Sequence, residues 1–298
     1  MDERRLEAFL VLAQELNFTR AAHRLNMTQS TLSAAMKALE AELDVVLFDR
    51  STRSVMLTQS GRELLPHARK AIDAIDAVRA AAHPSGGLRG SLTVGMLSGL
   101  RLVDVPALAG EFHRRYPSVQ LRLQTSRRGT GELIERIKEG SVDAAFVGTN
   151  INDPQLRVTP IRSYRLHLVA PADHPLSGRQ DVTLAEIARE PFIDMPFGFG
   201  QRAVIDDAFA RHSLSRPVVV EVADLTTVPE YVAHGLGVAL LPPELIASSR
   251  DDFSVIPISG ADISWTLSVI VKAAHPVSQP VDAFLDLIPR HTRWELPF

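Results

Sequence analysis

Cysteine is missing from all 298 residues. Disulfides, thiolate-ligated zinc and thiol redox sensing are thereby excluded together. Also missing is any run of about 18 apolar residues, so the pattern offers no membrane-spanning helix. The opening stretch MDERRLEAFL mixes acid and base, and Gln14 and Glu15 interrupt the apolar residues that follow. That is not the form of a secretory signal peptide, and a cytoplasmic location is expected. Strong charge of either sign is lacking as well: the formal net charge is -3, with 22% charged and 45% hydrophobic residues, a balance that identifies no partner. Nor does the chain carry H-E-x-x-H, the G-x-S-x-G elbow or the Walker-type G-x-x-x-x-G-K-[ST]. An enzyme is therefore not the first expectation, and neither a metal nor a cofactor is expected. At about 150 residues per domain, the chain has room for two or more domains with sizeable cores.

What is present is concentrated between residues 18 and 58. FTRAAHRLNMTQSTLSAAMKALEAELDVVLFDRSTRSVMLT reads as two short helices around a tight turn, then a two-stranded wing. Thr19 suits the cap of a helix whose inward face is Ala21, Ala22 and Leu25. Asn26 tolerates a left-handed backbone and can end that helix, Met27 plugs the turn, and Thr28 caps the helix beginning at Gln29. Leu32, Met36, Leu39 and Leu43 recur at helical spacing and seat that second helix on the body of the domain. Left outside, near its N-terminal side, are Gln29, Ser30, Ser33 and Lys37, polar chemistry suited to base edges and phosphates in a major groove. Arg50 and Arg53 flank the turn between VVLF and SVML, within reach of phosphate or the minor groove. Such contacts position a protein on DNA rather than specify sequence, and taken alone each arginine is equally read as solvated. Composition does not point to DNA, because the eight Lys and Arg of residues 1 to 62 are offset by eight Asp and Glu.

These residues resemble the winged helix-turn-helix of the LysR-type transcriptional regulators. The family-typical positions are Phe18, Ala21, Ala22, Leu25, Gln29, Ser30, Leu32, Ser33, Leu39, Glu40, Leu43, Leu47, Phe48, Arg50, Arg53, Leu57, Thr58 and Gly61, all in order. Two positions depart from the pattern. Ala34 stands where many members carry a long polar or basic side chain, and Asp44 replaces a glycine common after the recognition helix, although Asp accepts the left-handed conformation comparatively well. The lack of cysteine sets the chain apart from the thiol-based, peroxide-sensing branch.

Thr58 suits a helix N-cap, and residues 59 to 82 carry Leu64, Leu65, Ala68, Ala71, Ile72, Ile75, Val78 and Ala82 on one helical stripe. At about 1.5 Å per residue this rod would reach about 36 Å, more than a small head can bury, so a second copy of the same helix is its expected partner. Packing on the chain's own body is the alternative. Pro66 lies inside the rod and should bend or locally break its hydrogen-bond ladder. His83 to Gly90 has the glycine-rich composition of a hinge. From Ser91 short apolar strands alternate with amphipathic helices: SLTVGM, VQLRLQT, DAAFVG, YRLHLVA, PFIDM, PVVVEV, GVALLP and WTLSVIVK. The alternation implies an α/β fold with mostly parallel sheets. The expected fold class is therefore α+β multidomain, with an N-terminal winged helix-turn-helix (1 to 58), a linker helix (59 to 82), a hinge (83 to 90) and a C-terminal effector domain (91 to 298). The resemblance implies that this domain is a two-lobed α/β body similar to periplasmic solute-binding proteins, one lobe holding about 91 to 161 with 268 to 298 and the other 162 to 267.

Ligands in such a fold sit outside the carboxyl ends of strands, where helix N-termini present free N–H groups. The candidate loops hold Ser98 and Gly99, Gly129 and Thr130, Phe146 and Gly148, Phe197, and Thr226. By resemblance they line a cleft for a small effector, and their chemistry admits a carboxylate, aromatic given Phe197. Ser98, Thr130 and Thr226 equally suit simple helix capping, and Phe146 suits a core. One competing signal is Gly198-Phe-Gly200-Gln-Arg-Ala203 with Glu221 about twenty residues on, which fits a short and permissive dinucleotide fingerprint. His67, His113, His212 and His234 read as solvated or core residues, and His167 lies on a strand beside the presumed cleft. The reading that results is a sequence-specific DNA-binding transcriptional regulator of LysR type, switched by a small effector. The resemblance further implies a dimer or tetramer, an imperfect palindrome as DNA target, and contact with RNA polymerase. An enzyme whose N-terminal helices serve only assembly is the rival, and a pure solute-binding protein is opposed by the head.

Overall fold

The computed structural model describes residues 2–50, 55–82, 87–148, 151–246, 252–273 and 277–292. A helix outside the expected pair, α1 (Glu3–Glu15), begins behind Asp2, whose side chain accepts the Arg5 N–H at 2.9 Å. It supplies Leu6, Phe9, Leu10 and Leu12 to the core of the head. The next helix, α2 (Phe18–Arg24), is capped by Asn17 rather than Thr19, the Asn17 side chain accepting the Arg20 N–H at 3.0 Å. Phe18 is already helical, so the capping position falls one residue before it, and the Thr19 hydroxyl instead donates to Gln29 Oε1 at 3.2 Å. Asn26 takes the left-handed conformation with φ of 53°. Thr28 caps α3 (Gln29–Leu43), accepting the Thr31 N–H at 3.2 Å, and Asp44 closes it with φ of 53°. Leu32, Met36 and Leu39 are fully buried, which is why α3 holds one face inward.

The wing consists of β1 (Phe48–Arg50) and β2 (Val55–Leu57), antiparallel with Phe48 opposite Leu57. The first strand starts later than the expected VVLF, at Phe48, and Val45 and Val46 stay exposed ahead of it. Phe48 packs between Phe9 and Phe18, with ring centroids 5.6 and 6.4 Å away. Thr58 then caps α4 (Gln59–Ala82), accepting the Gly61 N–H at 3.0 Å while donating to the Val46 carbonyl at 2.6 Å. The helix runs on through Pro66 without interruption. A side chain at Gly61 would drive its Cβ into the Leu47 carbonyl oxygen, so only glycine lets the helix start this close to the wing. The first half of α4 packs on the chain's own head through Leu65 and Ala68, whereas Val78 further on is 70% exposed.

The body follows with β3 (Gly90–Met96), α5 (Val105–Arg115), β4 (Val119–Thr125), α6 (Gly129–Lys138), β5 (Ala144–Gly148) and β6 (Leu156–Arg165). The chain then builds a second layer set from β7 (His167–Pro171), β8 (Val182–Thr183), α7 (Leu184–Ile187), β9 (Phe192–Asp194), α8 (Gly200–Arg211), β10 (Val218–Glu221), α9 (Val228–Ala233), β11 (Ala239–Leu241), β12 (Phe253–Ile256) and β13 (Ile258–Ser259). It returns through β14 (Ser264–Lys272) to finish with α10 (Gln279–Leu285). One sheet runs in the order β4-β3-β5-β14-β6, and a second, three-stranded sheet runs β11-β7-β12. The five-stranded sheet is mixed and the three-stranded sheet is antiparallel, in place of the expected mostly parallel sheets. β3 is parallel to β4 and β5, but the returning β14 is antiparallel to β5 and β6, and β7 is antiparallel to both its neighbours. A strand that re-enters a sheet after a long excursion is not bound by the parallel geometry of a βαβ crossover. The expected YRLHLVA strand is split at Leu166, its first part ending β6 and its second forming β7. β6 extends to Arg165 and β14 begins at Ser264, so the crossing between lobes lies a few residues beyond 161 and before 268.

Candidate functional site

In the head, the side of α3 facing away from the core presents Gln29, Ser30 and Lys37 as exposed side chains, with Ser33 half-buried beside them. Thr28 is committed to its cap, its hydroxyl also lying 2.8 Å from the Ser30 hydroxyl. Gln29 has its amide oriented by the Thr19 hydroxyl at 3.2 Å. Glu40, at the other end of α3, accepts the backbone N–H groups of Leu47 at 2.9 Å and Phe48 at 3.3 Å, which fixes the wing relative to the helix. Arg50 closes β1, but its side chain and Arg53 lie outside the described residues. Several other cations are paired: Arg5 with Glu42, Arg20 and Arg24 with Glu15, and Arg79 of the rod with Glu3 at 2.6 Å.

In the body, a cavity of about 450 Å³, counting its open mouth, lies where the two lobes meet. One wall is the loop from Leu97 to Leu102 with Gly148 and Trp265; the other is Met195, Phe199, Gly200, Gln201, Leu225 and Leu245. Of the expected effector residues it brings together Ser98, Gly99 and Gly148. Ser98 donates its hydroxyl proton to the Ala223 carbonyl at 2.8 Å. Gly99 has φ of +66°, and a Cβ there would collide with Asp224 Oδ1. Gly148 lies against the Trp265 indole, which leaves no room there for a side chain.

The remaining candidates lie off the lining. Gly129 packs against Phe199, where a Cβ would meet the ring at 2.7 Å, and Thr130 is buried with its hydroxyl accepting the Gly148 N–H at 3.4 Å. Thr226 turns inward to Asp224 Oδ1, to which its N–H and hydroxyl donate at 3.0 and 2.7 Å. Phe146 is completely buried, because alternation along β5 points it into the main core. Phe197 is 75% exposed with the Arg202 guanidinium 4.3 Å above its ring, so it covers that cation rather than the cavity.

The glycine-rich stretch from Gly198 to Ala203 does join a strand to a helix, since β9 and β10 are parallel and α8 connects them. Yet Arg202 spans the unit, donating to the Met195 carbonyl at 2.9 Å and to Glu221 at 3.3 Å, so the acidic residue of the fingerprint is already engaged. Arg202 and Arg216 gather Asp194 and Asp206 into the same network, where burial raises the Asp194 carboxyl above its ordinary pKa despite the arginines. His167 sits on β7 opposite Leu241, off the cavity lining, and burial lowers its pKa. His212 and His234 bond to carbonyls one helical turn back, at 2.9 and 2.8 Å. Among the described residues no cluster of three His, Asp or Glu could hold a metal ion, and no helix is long and apolar enough to cross a membrane.

A polar seam joins body to head. Asp143, just before β5, accepts the Thr93 N–H at 2.7 Å; burial raises its pKa, against the charges of Arg69 on α4 and Arg122 on β4. Arg122 is lowered to about 10, first by burial and then by the nearness of Arg24 and Arg69. The same strand thus begins at this seam and ends at Gly148 in the cavity wall.

A winged head, a helical rod and a two-lobed body with a cavity between the lobes define a DNA-binding protein coupled to a small-molecule sensor. Residues 4–62 match the family described as bacterial regulatory helix-turn-helix proteins of the lysR family, and residues 85–293 match the LysR substrate binding domain. The chain belongs to the LysR family of transcriptional regulators. It is 32% identical over 295 residues to the HTH-type regulator YybE of Bacillus subtilis, covering 98% of this chain and 99% of that one. It is 38% identical over 197 residues, 66% of each chain, to the HTH-type transcriptional regulator ShiR of Corynebacterium glutamicum. Its fold matches a full-length OxyR variant from Pseudomonas aeruginosa with a TM-score of 0.77 at 25% identity, covering 100% of this chain and 99% of that one. It is a regulator with an effector-binding domain, not an enzyme.

Proposed function

We propose that α3 enters the major groove with Gln29, Ser30, Ser33 and Lys37 facing bases and phosphates, Thr28 at its entry, and Arg50 and Arg53 of the wing on the DNA backbone. The target is an imperfect palindrome in a promoter, bound by a homodimer or a dimer of dimers whose heads are paired through the outer half of α4. The exposure of Val78 there supports this pairing. The domain division follows that of the sequence, with residues 1–58, 59–82, 83–90 and 91–298 as head, linker, hinge and effector domain, and the protein works in the cytoplasm.

The effector binds between the lobes, against Ser98, Gly99 and Gly148. The observation that carries this reading is that the two walls of the cavity come from different lobes, so that a ligand bound there touches both. A small carboxylate is the effector class, served by Arg101 at the mouth and by α8, whose N-terminus has no side-chain cap and opens onto the cavity at Gly200. Closure shifts β5 and, through Asp143, the seam with Arg69 and Arg122. The spacing of paired heads, the bend of the promoter and access for RNA polymerase change with it. A ligand achieves this only to the extent that it binds one arrangement more tightly.

The test is fluorescence anisotropy of the full chain on DNA from immediately upstream of its own gene, against scrambled DNA at fixed salt. Preference for the native segment is expected. Gln29→Ala or Ser33→Ala should relax that preference by about 1–3 kcal/mol per genuine base contact. Arg50→Ala or Arg53→Ala should weaken all sequences alike and flatten the salt dependence. Equal binding to both DNAs, with no motif recovered by genome-wide site selection, would overturn the operator reading.

A further inference from the structure

Gln201 is the polar side chain most deeply set in the cavity wall, with only 3% of it exposed. Its amide Nε2 donates to the Leu240 carbonyl at 2.7 Å, and that bond sets the orientation of the group. Oε1 is left buried with no hydrogen-bond partner among the described residues. A buried acceptor without a donor is costly, and native proteins seldom leave one without a reason. No neighbouring hydroxyl offers relief: the Ser98 proton goes to the Ala223 carbonyl and the Thr226 proton to Asp224. The rest of the inner wall is apolar, built from Leu97, Leu102, Met195, Leu225 and Trp265.

We propose that Gln201 is a specificity-determining residue, and that the effector carries a hydrogen-bond donor, a hydroxyl or amino group on an apolar skeleton, which Gln201 Oε1 receives at the inner end of the cavity. The inference rests on the cavity being the effector site. It adds to that reading a requirement at the buried end of the ligand, where neither the Arg101 cation nor the N-terminus of α8 supplies an acceptor. A site with a buried polar group discriminates sharply against an analogue that leaves the group unpaired. The same molecule without its donor would fit the apolar wall and leave Oε1 unsatisfied.

The experiment is calorimetric titration of the full-length protein with carboxylates in matched pairs that differ by one donor at the end remote from the carboxylate: 4-hydroxybenzoate against benzoate, 4-hydroxyphenylacetate against phenylacetate, and 5-hydroxypentanoate against pentanoate. The donor-bearing member of the best-fitting pair is expected to bind at least roughly tenfold more tightly. In Gln201→Met, of similar length and shape, the preference should fall to within about twofold while the donor-free member keeps its affinity. Equal binding of all pair members to the wild-type protein overturns the inference and leaves the effector site standing. A preference that survives in a folded Gln201→Met protein also overturns it. If no probe binds at all, the cavity is not a site for small carboxylates, and both this inference and the effector reading beneath it fail. The wild-type comparison decides the matter even if the variant does not fold.

Discussion

The clamp between Glu40 and the wing is open to a direct test. One carboxylate oxygen of Glu40 accepts the N–H groups of both Leu47 and Phe48, residues whose side chains are buried. Glu40→Ala leaves two backbone donors unmet, each worth about 1–3 kcal/mol when buried. Glu40 is half-buried, so water reaches part of the gap, and a total of about 2–3 kcal/mol is expected. Glu40→Gln keeps an acceptor in place and loses only the assistance of the charge, about 1 kcal/mol. For a domain the size of the head, each kcal/mol moves the midpoint by about 4–8 °C, so the alanine variant should unfold roughly 15 °C early and the glutamine variant roughly 5 °C early. Scanning calorimetry of the full chain with and without operator DNA identifies the transition, because only the head is stabilised by DNA. Anisotropy on the same samples should show weaker binding for Glu40→Ala, since the wing loses its fixed place beside α3. If the alanine variant melts like wild type, or the glutamine variant is as damaged as the alanine one, the shared acceptor does not hold the wing.

Further outcomes are expected elsewhere. Leu32→Ala, at a fully buried position of the recognition helix, should cost about 2–5 kcal/mol and abolish DNA binding, as read by denaturant titration and anisotropy. Gly148→Ala would push its Cβ into the Trp265 ring, so a loss of about 1–3 kcal/mol and a change in tryptophan emission should appear together. Glu186 is held down to about 2 from its ordinary 4.5, mainly by the Thr183 N–H, then by Arg179 and the Thr183 hydroxyl. A carboxylate with a depressed folded-state pKa contributes stability that is complete above 4.5 and lost as pH falls toward about 2. The stability gap between wild type and Glu186→Gln should therefore close across that window in acid titrations followed by circular dichroism. A gap that persists at the acid end would show that the carboxylate charge is not what the turn depends on.

The similarity to OxyR spans the whole fold, yet a chain with no cysteine cannot respond to an oxidant through a thiol. The match to the LysR substrate binding domain directs attention to the contents of the cavity rather than to the likeness of the scaffold.

The amino-acid sequence by itself determined what depends on near neighbours along the chain. The helix periodicity of Leu32, Met36 and Leu39, the cap at Thr28, the left-handed turns at Asn26 and Asp44, and the 24-residue rod were all legible, because each rests on contacts within a turn or two of helix. The choice of Asn17 over Thr19 as cap was not, since two good capping residues stood two positions apart and packing of Phe18 against Phe48 decided between them. The stretch Leu156 to Ser163 of β6 was hidden for a different reason. It is an edge strand with Pro160 and arginines facing water, and its pairing with β14 joins residues about a hundred positions apart. The cavity is of that second kind. Loops that end strands could be named from the sequence, but which of their side chains face a common space depends on how two lobes meet. Tertiary structure alone turned Phe146 into the core, laid Arg202 over Phe197, closed Thr226 onto Asp224, and left the Gln201 acceptor unsatisfied among the described residues. Local sequence specifies what a segment can form; the partners of a buried polar atom come from everywhere else in the chain.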